Sequence, residues 1–287
     1  MQTIRSRPVP VIKWAGGKRQ LLSLLETRIP KRFGTYFEPF LGGGALFFHI
    51  QPEHAVLNDA NHQLINMYRQ IRSDATRISN HLLKWQNTYN TLGTDSAKLS
   101  FYLRQRRIYN NFLSAHVCTA LSAALLIFLN KSGFNGLYRI NKEGQYNVPS
   151  GHKKTLHIID EDNFSLVSHA LQKAELTAGD FESACTEARE GDFVFFDSPY
   201  YDTFDTYQAG GFSQGDHTRL VSLFHTLTRR KVFCLATNND CDAVRDLYSS
   251  FPIEAVPVRR MINRDASHRT GSEVIIRNFT DDDAIIE

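Results

Sequence analysis

The chain has 287 residues, of which 42% are hydrophobic and 22% are charged, and its formal net charge is +3. This size and balance are typical of one large globular domain or of one domain with a sizeable insertion. No apolar run approaches the ~20 residues of a membrane-spanning helix, and the N-terminus lacks the apolar core of a signal peptide. The four cysteines lie far apart without metal-type spacing, so we expect free thiols in a reducing cytoplasm.

Strand and helix patterns alternate at both ends of the chain. A first strand at 36–37, with its exit at 40–41, precedes three glycines and a short helix from Ala45, and a second strand covers 55–57. Further strands are predicted near 174–177, 192–196, 232–236, 253–258 and 274–279, and helices at 218–228 and 240–248. This alternation predicts an α/β fold with a Rossmann-like sheet.

The middle of the chain has a different pattern. Apolar residues recur with helical spacing from His62 to about Trp85, at 99–112 and at 119–129. Residues 131–151 are rich in Gly and Asn and contain Asn-Gly at 135–136, which favours a hairpin or an extended recognition loop. We therefore predict a mainly helical insertion at 62–160, with 1–61 and 161–287 forming the α/β domain.

Basic residues are concentrated in this insertion. The window 98–154 contains nine lysines and arginines and one acid, Glu143, so it carries +8 while the rest of the chain carries −5. A solvated helix face usually mixes its signs, and a block of one sign favours a polyanion partner, with a solubilising surface as the alternative. A second basic stretch, 259–277, has five arginines against Asp265 and Glu273.

A strongly apolar run leads to the most chemically informative residues. The residues at 193–196 fit a strand that is buried on both faces, and Asp197, Ser198, Pro199 and Tyr200 follow it. Ligands bind at the carboxyl ends of parallel strands. Asp197 and the Ser198 carbonyl can accept hydrogen bonds from an exocyclic amine while Tyr200 stacks on its ring, as for a nucleobase swung out of its stack. An ordinary turn after a strand is the plainer interpretation.

Glycines follow the first predicted strand, in the run Glu38-Pro39-Phe40-Leu41-Gly42-Gly43-Gly44. They permit a sharp bend and a close approach to a ligand, but the spacing is not the dinucleotide fingerprint Gly-x-Gly-x-x-Gly. The run at 15–18 is not a Walker A loop, because Ile12 stands where the first glycine should be. The second strand ends at Asp59, whose carboxylate can bind ribose hydroxyls. Together these features favour a nucleoside-bearing cofactor such as S-adenosylmethionine, with a packing turn and a helix N-cap as the alternatives.

Four motifs occur in order along the chain: Lys13-Trp14-Ala15-Gly16-Gly17-Lys18, the run from Glu38 to Gly44, Asp59-Ala60-Asn61, and Asp197-Ser198-Pro199-Tyr200. This ordered set resembles the alpha-group, D12-class DNA adenine-N6 methyltransferases. Within the insertion, the runs from Leu129 to Arg139 and from Tyr146 to Gly151 are similar to the target-recognition segment of the Dam-type subgroup, which methylates adenine in GATC. The resemblance extends from about Val11 to Phe279.

The resemblance implies a role for each matched residue. The implied cofactor-binding residues are Trp14, Lys18, Glu38, Phe40, Gly42, Gly44, Asp59 and Asp197. The implied catalytic residues are Asp197, Ser198, Pro199 and Tyr200. Among the implied DNA contacts, Arg139 reads a guanine edge, Phe134 wedges beside the extruded base, Asn135 and Leu137 flank it, and Lys13 and Pro149 are further base contacts. The implied partners are S-adenosylmethionine and double-stranded DNA, with no metal, membrane or stable protein partner.

One position departs from the family, which has Asp-Pro-Pro-Tyr where this chain has Ser198. The carbonyl acceptor is kept, but serine leaves the turn freer than proline does, and a misplacement of about 1 Å can cost ~10²-fold in rate.

From the ordered motifs and the resemblance we expect a site-specific DNA adenine-N6 methyltransferase, and we keep two alternatives. One is a cytosine-N4 or RNA methyltransferase of the same fold, and the other is a DNA-binding protein with weakened catalysis.

Overall fold

The computed structural model describes residues 7–18, 20–201, 211–259 and 270–286. Strands in these ranges form one sheet, and they are β1 (Tyr36–Glu38), β2 (Ala55–Asp59), β3 (Ala174–Ala178), β4 (Phe193–Phe196), β5 (Phe233–Asn239), β6 (Ile253–Arg259) and β7 (Thr270–Arg277). Their spatial order is β3-β2-β1-β4-β5-β7-β6. The first five strands are parallel, and β7 runs antiparallel to β5 and β6. The predicted Rossmann-like α/β sheet is confirmed.

The described helices are α1 (Leu22–Glu26), α2 (Ala45–Ile50), α3 (His62–Thr91), α4 (Asp95–Ser114), α5 (Ala120–Ser132), α6 (Glu161–Leu171), α7 (Phe181–Ala184), α8 (Gln214–Arg229) and α9 (Asp242–Leu247). Polar side chains fix where several of them begin. The Asn61 side chain accepts from two backbone N–H groups at the start of α3, and Thr119 forms a capping box with Ser122 at the start of α5. Helices α1, α6 and α7 were absent from the sequence prediction. None of the helices in the described ranges combines the length and apolar character that a bilayer crossing requires.

Helix α3 connects the sheet with the predicted insertion. Its backbone leaves the helical region at Asp74 (φ −157°, ψ 74°), whose carboxylate accepts from the Arg77 N–H at 2.9 Å. Before this kink, Arg72 donates to the carbonyl of Ala174 in β3 at 2.8 Å. Helix α3 also packs against α5, which is buried along nearly its whole length. A helix that is apolar all round is typical of the centre of a bundle, so the middle of the chain is helical as predicted.

The segment 133–151 folds back on itself after α5, as predicted for this Gly- and Asn-rich stretch. An antiparallel bridge joins Ile140 to Tyr146 across the two halves. The chain reverses between these residues, at 141–144. The Asn-Gly pair that suggested a hairpin lies instead in a short 3₁₀ turn, Phe134–Gly136. The hairpin tip is therefore further along the chain than the dipeptide signal indicated.

The side chains of β4 alternate between two hydrophobic clusters, one on each face of the sheet. Phe193 and Phe195 pack in the larger cluster, which also contains the buried residues of the helical insertion. Val194 and Phe196 pack in the smaller one, with residues of α8 and α9. Because both faces of this strand are covered, its apolar run continues without polar interruption, and the polar residues begin only where the strand ends.

Candidate active site

A cleft of about 350 Å³ lies at the carboxyl ends of β1, β2 and β4. The strand order reverses direction between β1 and β4, which is where ligands bind in open α/β sheets. The lining includes every residue that was predicted for catalysis or cofactor binding: Trp14, Lys18, Glu38, Phe40, Gly42, Gly44, Asp59, Asp197, Ser198, Pro199 and Tyr200. These residues are separated by up to 186 positions in the sequence. The fold therefore brings the residues predicted for catalysis and those predicted for cofactor binding together in one cleft.

The glycine turn after β1 requires its glycines. Gly42 and Gly44 have φ of +48° and +66°, in the left-handed region that other residues avoid. A Cβ on Gly42 would lie only 2.7 Å from Cδ1 of Trp14. The Trp14 ring also stacks on Tyr138, with ring centroids 5.1 Å apart. The indole therefore contacts both the glycine turn after β1 and the folded-back segment 133–151.

Asp59 forms a polar wall of the cleft at the end of β2. Its two carboxylate oxygens accept from the backbone N–H groups of Gly42 and Asn61, each at 2.9 Å. Removal from water raises the pKa of this carboxyl to about 6, against the lowering effect of the two N–H donors. The carboxylate is held in a fixed orientation and still has lone pairs for a ligand.

Glu38 and Phe40 contribute a buried acid and an aromatic wall. The Glu38 side chain accepts from the Tyr36 hydroxyl at 2.8 Å, and burial raises its pKa well above the usual value. Phe40 stacks on Phe181 at 5.3 Å and meets the edge of Phe212 at 5.6 Å. The cleft thus has an apolar side that suits a flat ring next to the Asp59 wall.

Lys18 contacts the tetrapeptide Asp197–Tyr200, which the sequence analysis predicted to be catalytic. Its Nζ is 2.6 Å from Oδ1 of Asp197, 3.2 Å from the Tyr200 hydroxyl and 3.8 Å from Oε2 of Glu273. Only 4% of this lysine is exposed. Burial lowers its pKa, but Asp197, Tyr200 and Glu273 outweigh that effect and raise the pKa overall. The ammonium group is therefore a permanent positive charge beside the Asp197 carboxylate.

Two neighbouring strands hold the tetrapeptide from the sides. Thr237 at the end of β5 donates from its hydroxyl to Oδ1 of Asp197 at 2.9 Å. The Tyr200 hydroxyl donates to the Glu273 carboxylate on β7. Sequence reasoning missed Thr237 and counted Glu273 only as an acid within a basic stretch. Nothing in the local sequence marks either residue, because their proximity depends on the pairing of β5 with β4 and β7.

The predicted base-contacting residues lie on a second surface, next to the cleft. Asn130 joins two of its segments, since its side chain bonds to the backbone N–H and carbonyl of Lys13 and to the carbonyl of Gly136. The Phe134 N–H donates to the carbonyl of Pro149 at 2.9 Å. The Phe134 ring is 50% exposed, which is unusual for so large an apolar side chain.

The remaining residues of this surface follow in the same loop. Asn135 has a φ of +53°, a conformation that asparagine tolerates better than most residues. The Leu137 carbonyl accepts from the Tyr146 hydroxyl at 3.2 Å. Arg139 is exposed and donates from Nε to Oδ1 of Asn147 at 2.6 Å. All six predicted DNA contacts are thus in the loop or packed against it.

Five of the nine basic residues in the window 98–154 illustrate two different roles. Lys98, Arg106 and Lys153 donate to backbone carbonyls of the insertion at 2.7, 3.1 and 2.8 Å, so they also stabilise its loops. Arg104 and Arg107 are exposed one turn apart on α4, with no acidic partner among the described residues. The second basic stretch lies mostly at 260–269, outside the described residues.

Comparisons with known proteins identify the family of this chain. Residues 14–262 match the family of D12 class N6 adenine-specific DNA methyltransferases. A Type II methyltransferase from Lactococcus lactis subsp. cremoris is 35% identical over 278 residues, covering 94% of this chain and 95% of the relative. A Type II methyltransferase from Methanocaldococcus jannaschii is 33% identical over 94% of this chain and 99% of the relative. A DNA adenine methylase from Haemophilus influenzae is 27% identical over 94% and 93%. The chain therefore belongs to the D12 class N6 adenine-specific DNA methyltransferases.

Proposed function

We propose that this DNA adenine-N6 methyltransferase takes its methyl group from S-adenosylmethionine and transfers it to the adenine of GATC in double-stranded DNA. The observation that carries the proposal is the Asp197–Tyr200 turn at the edge of the same cleft that contains the glycine turn and Asp59. A methyl donor and an adenine would then meet in one cavity. Its volume of about 350 Å³ falls within the range of small-molecule sites.

The residues of the cleft fit S-adenosylmethionine better than a phosphorylated cofactor. Asp59 can accept from ribose hydroxyls, and Phe40 offers a ring face for the adenine of the donor. Among the described lining residues, Lys18 is the only basic side chain, and it is already ion-paired with Asp197. No described cation is thus left for phosphates, while the acidic lining suits a donor with a positive sulfonium. Trp14 would close the cleft beside Gly42.

Asp197 and Ser198 would orient the target amine. Both described donors to Asp197, Lys18 and Thr237, bind Oδ1, and we assign Oδ2 to one N–H of the adenine amine. The Ser198 carbonyl would accept the other N–H, and Tyr200 would stack on the base. These acceptors would orient the amine hydrogens and increase electron density at N6. As N6 bonds to the methyl carbon, the bond from that carbon to sulfur would break, and the nitrogen would release one proton to water. S-adenosylmethionine supplies a methyl group on an already activated sulfur, so alignment is the main task of the protein.

The second surface would read the DNA. Adenine must leave the helix to reach the cleft, and the exposed Phe134 ring is suited to fill the gap beside it. Arg139 presents a guanidinium for a guanine edge, while Arg104 and Arg107 suit phosphates. We accordingly keep the division into a recognition insertion at 62–160 and a catalytic domain at 1–61 and 161–287 as part of the proposal.

The family match goes against the cytosine-N4 and RNA alternatives. The alternative of weakened catalysis, which rests on Ser198, is a question of rate. Labelled S-adenosylmethionine, incubated with duplexes that contain GATC or a scrambled site, tests the proposal. We expect label in the GATC duplex alone, and equal label in both duplexes would contradict GATC recognition. Purified protein that binds the GATC duplex without transferring label would support the DNA-binding alternative.

A further inference from the structure

The end of β5 lies beside the catalytic turn 197–200 because β4 and β5 pair in parallel. Phe196 is opposite Ala236 in this pairing. Continuing the register by two residues places Asn238 opposite Ser198. Both residues are buried, with 3% and 4% of their surfaces exposed. A polar contact between them is therefore little weakened by competing water.

The Asn238 side chain holds the turn at both of its polar atoms. Its Nδ2 donates to Oγ of Ser198 at 3.2 Å and lies 3.5 Å from the carbonyl of Pro199. Its Oδ1 accepts from the backbone N–H of Tyr201 at 2.9 Å. The Asn238 amide thus connects Ser198, the residue that departs from the family motif, with the backbone N–H that directly follows Tyr200.

Serine and proline restrain this position in different ways. Proline would fix φ through its ring, whereas serine leaves φ free and widens the unfolded ensemble. Serine also brings a hydroxyl oxygen that proline lacks, and Asn238 binds that oxygen. Serine at position 198 therefore loosens the backbone but also provides a hydrogen-bond acceptor that Asn238 can bind.

We propose that Asn238 is a positioning residue for methyl transfer, and that its hydrogen bond to Ser198 replaces the restraint of the missing proline. It keeps the Ser198 carbonyl and the Tyr200 ring correctly placed relative to the Asp197 carboxylate. The inference rests on the proposed catalytic role of residues 197–200.

The test compares Asn238→Ala, Ser198→Pro and the double variant with the unaltered protein on a GATC duplex. We expect Asn238→Ala to lower kcat by roughly tenfold to a hundredfold, the effect of a small misplacement, with KM for S-adenosylmethionine nearly unchanged. Ser198→Pro retains a carbonyl at this position and adds the restraint of the proline ring, so its own kcat is the reference rate for the double variant. In the Ser198→Pro background, Asn238→Ala should cost at most about fivefold, as for the loss of one ordinary hydrogen bond.

A matched control separates positioning from stability. Asn163 is an equally buried asparagine, 4% exposed, that bonds to the backbone of Val9. Asn163→Ala should lower the melting temperature and leave kcat unchanged below it. If Asn238→Ala melts below the assay temperature, Ser198→Ala removes the same hydrogen bond from the other side, and we expect a several-fold loss of kcat from it.

Two outcomes would overturn the inference: equal losses from Asn238→Ala in both backgrounds, or normal kcat in folded Asn238→Ala. Asp197→Ala, assayed alongside, distinguishes this failure from a wrong site. If Asp197→Ala retains turnover, the proposed catalytic site is wrong and the role of Asn238 falls with it. If Asp197→Ala is inactive while Asn238→Ala has normal kcat, only the role of Asn238 is refuted.

Discussion

Binding of S-adenosylmethionine should depend on pH through Asp59. The carboxylate is the form that accepts from ribose hydroxyls, and its pKa is raised to about 6 by removal from water. A proton on either oxygen would face a backbone N–H, since Gly42 and Asn61 donate to one oxygen each. At pH 5 about nine-tenths of this group is protonated, so the donor should bind about tenfold more weakly than at pH 7.5, or ~1.4 kcal/mol.

Ionisation of Asp59 should affect folding and cofactor binding in opposite directions: it strengthens binding and lowers the stability of the ligand-free protein. The pKa of Asp59 in the fold lies above its ordinary value of 3.8, so the unfolded chain binds fewer protons between the two values. This group therefore makes the ligand-free protein less stable as pH rises from about 4 to about 6. Ionised Asp59 is a cost to the fold that the proposed ribose contact would offset.

Calorimetric titration of S-adenosylmethionine from pH 5 to pH 8 tests this expectation with Asp59→Asn. The amide of Asn has one oxygen and so can accept from only one of the two backbone N–H groups that Asp59 binds. Affinity for S-adenosylmethionine should therefore fall by ~1–3 kcal/mol at pH 7.5, and the tenfold weakening between pH 7.5 and pH 5 should disappear. Asp192→Asn is the matched control, because Asp192 accepts from Thr35 and Arg189 backbone N–H groups at the other end of the sheet. If affinity for S-adenosylmethionine depends on pH in Asp59→Asn as it does in the unaltered protein, Asp59 is not the group that titrates.

Three other substitutions separate the parts of the site. Gly42→Ala would place a Cβ 2.7 Å from the indole of Trp14 and should weaken binding of S-adenosylmethionine at least about tenfold. Gly191→Ala is the control, because at φ +83° with nothing within 4 Å it should lower only the melting temperature; if calorimetry gives both variants the same affinity, the cofactor does not bind close to Gly42. Glu273→Ala should reduce kcat by roughly fivefold and add little to Tyr200→Phe, since both variants lose the hydrogen bond between Tyr200 and Glu273. Fully additive losses in the rate assay would show separate roles. Arg139→Ala should cost ~1–3 kcal/mol on GATC and much less on a duplex altered at the guanine; competition binding with uniform losses would show a phosphate contact.

Much of the fold could be predicted from the sequence because its signals are local. The apolar run at 193–196 predicted a strand covered on both faces, and the two hydrophobic clusters meet on that strand. The strand ends at Asp59 and Asp197 were also readable, because polar residues appear where apolar runs stop. Helix α7, in contrast, spans only four residues, too few to establish a helical period.

The parts of the site that the sequence did not indicate come from strand pairing. Thr237 and Asn238 reach the tetrapeptide because β5 pairs with β4 in one particular register, and Glu273 reaches Tyr200 because β7 pairs with β5. Register depends on packing across the whole sheet. The contact of Lys18 with Asp197 likewise joins residues 179 positions apart and has no local signal.

Nucleoside mass spectrometry of a duplex with one GATC site tests whether residues 197–200 direct methyl transfer to N6 of that adenine. The duplex is incubated with S-adenosylmethionine and either the unaltered protein or Asp197→Ala, and then digested. We predict N6-methyladenine at the GATC adenine with the unaltered protein, and a loss of methylation with folded Asp197→Ala, whose amine acceptor is gone. Equal amounts of N6-methyladenine from the two proteins, or methyl groups on another base, would contradict the proposed site.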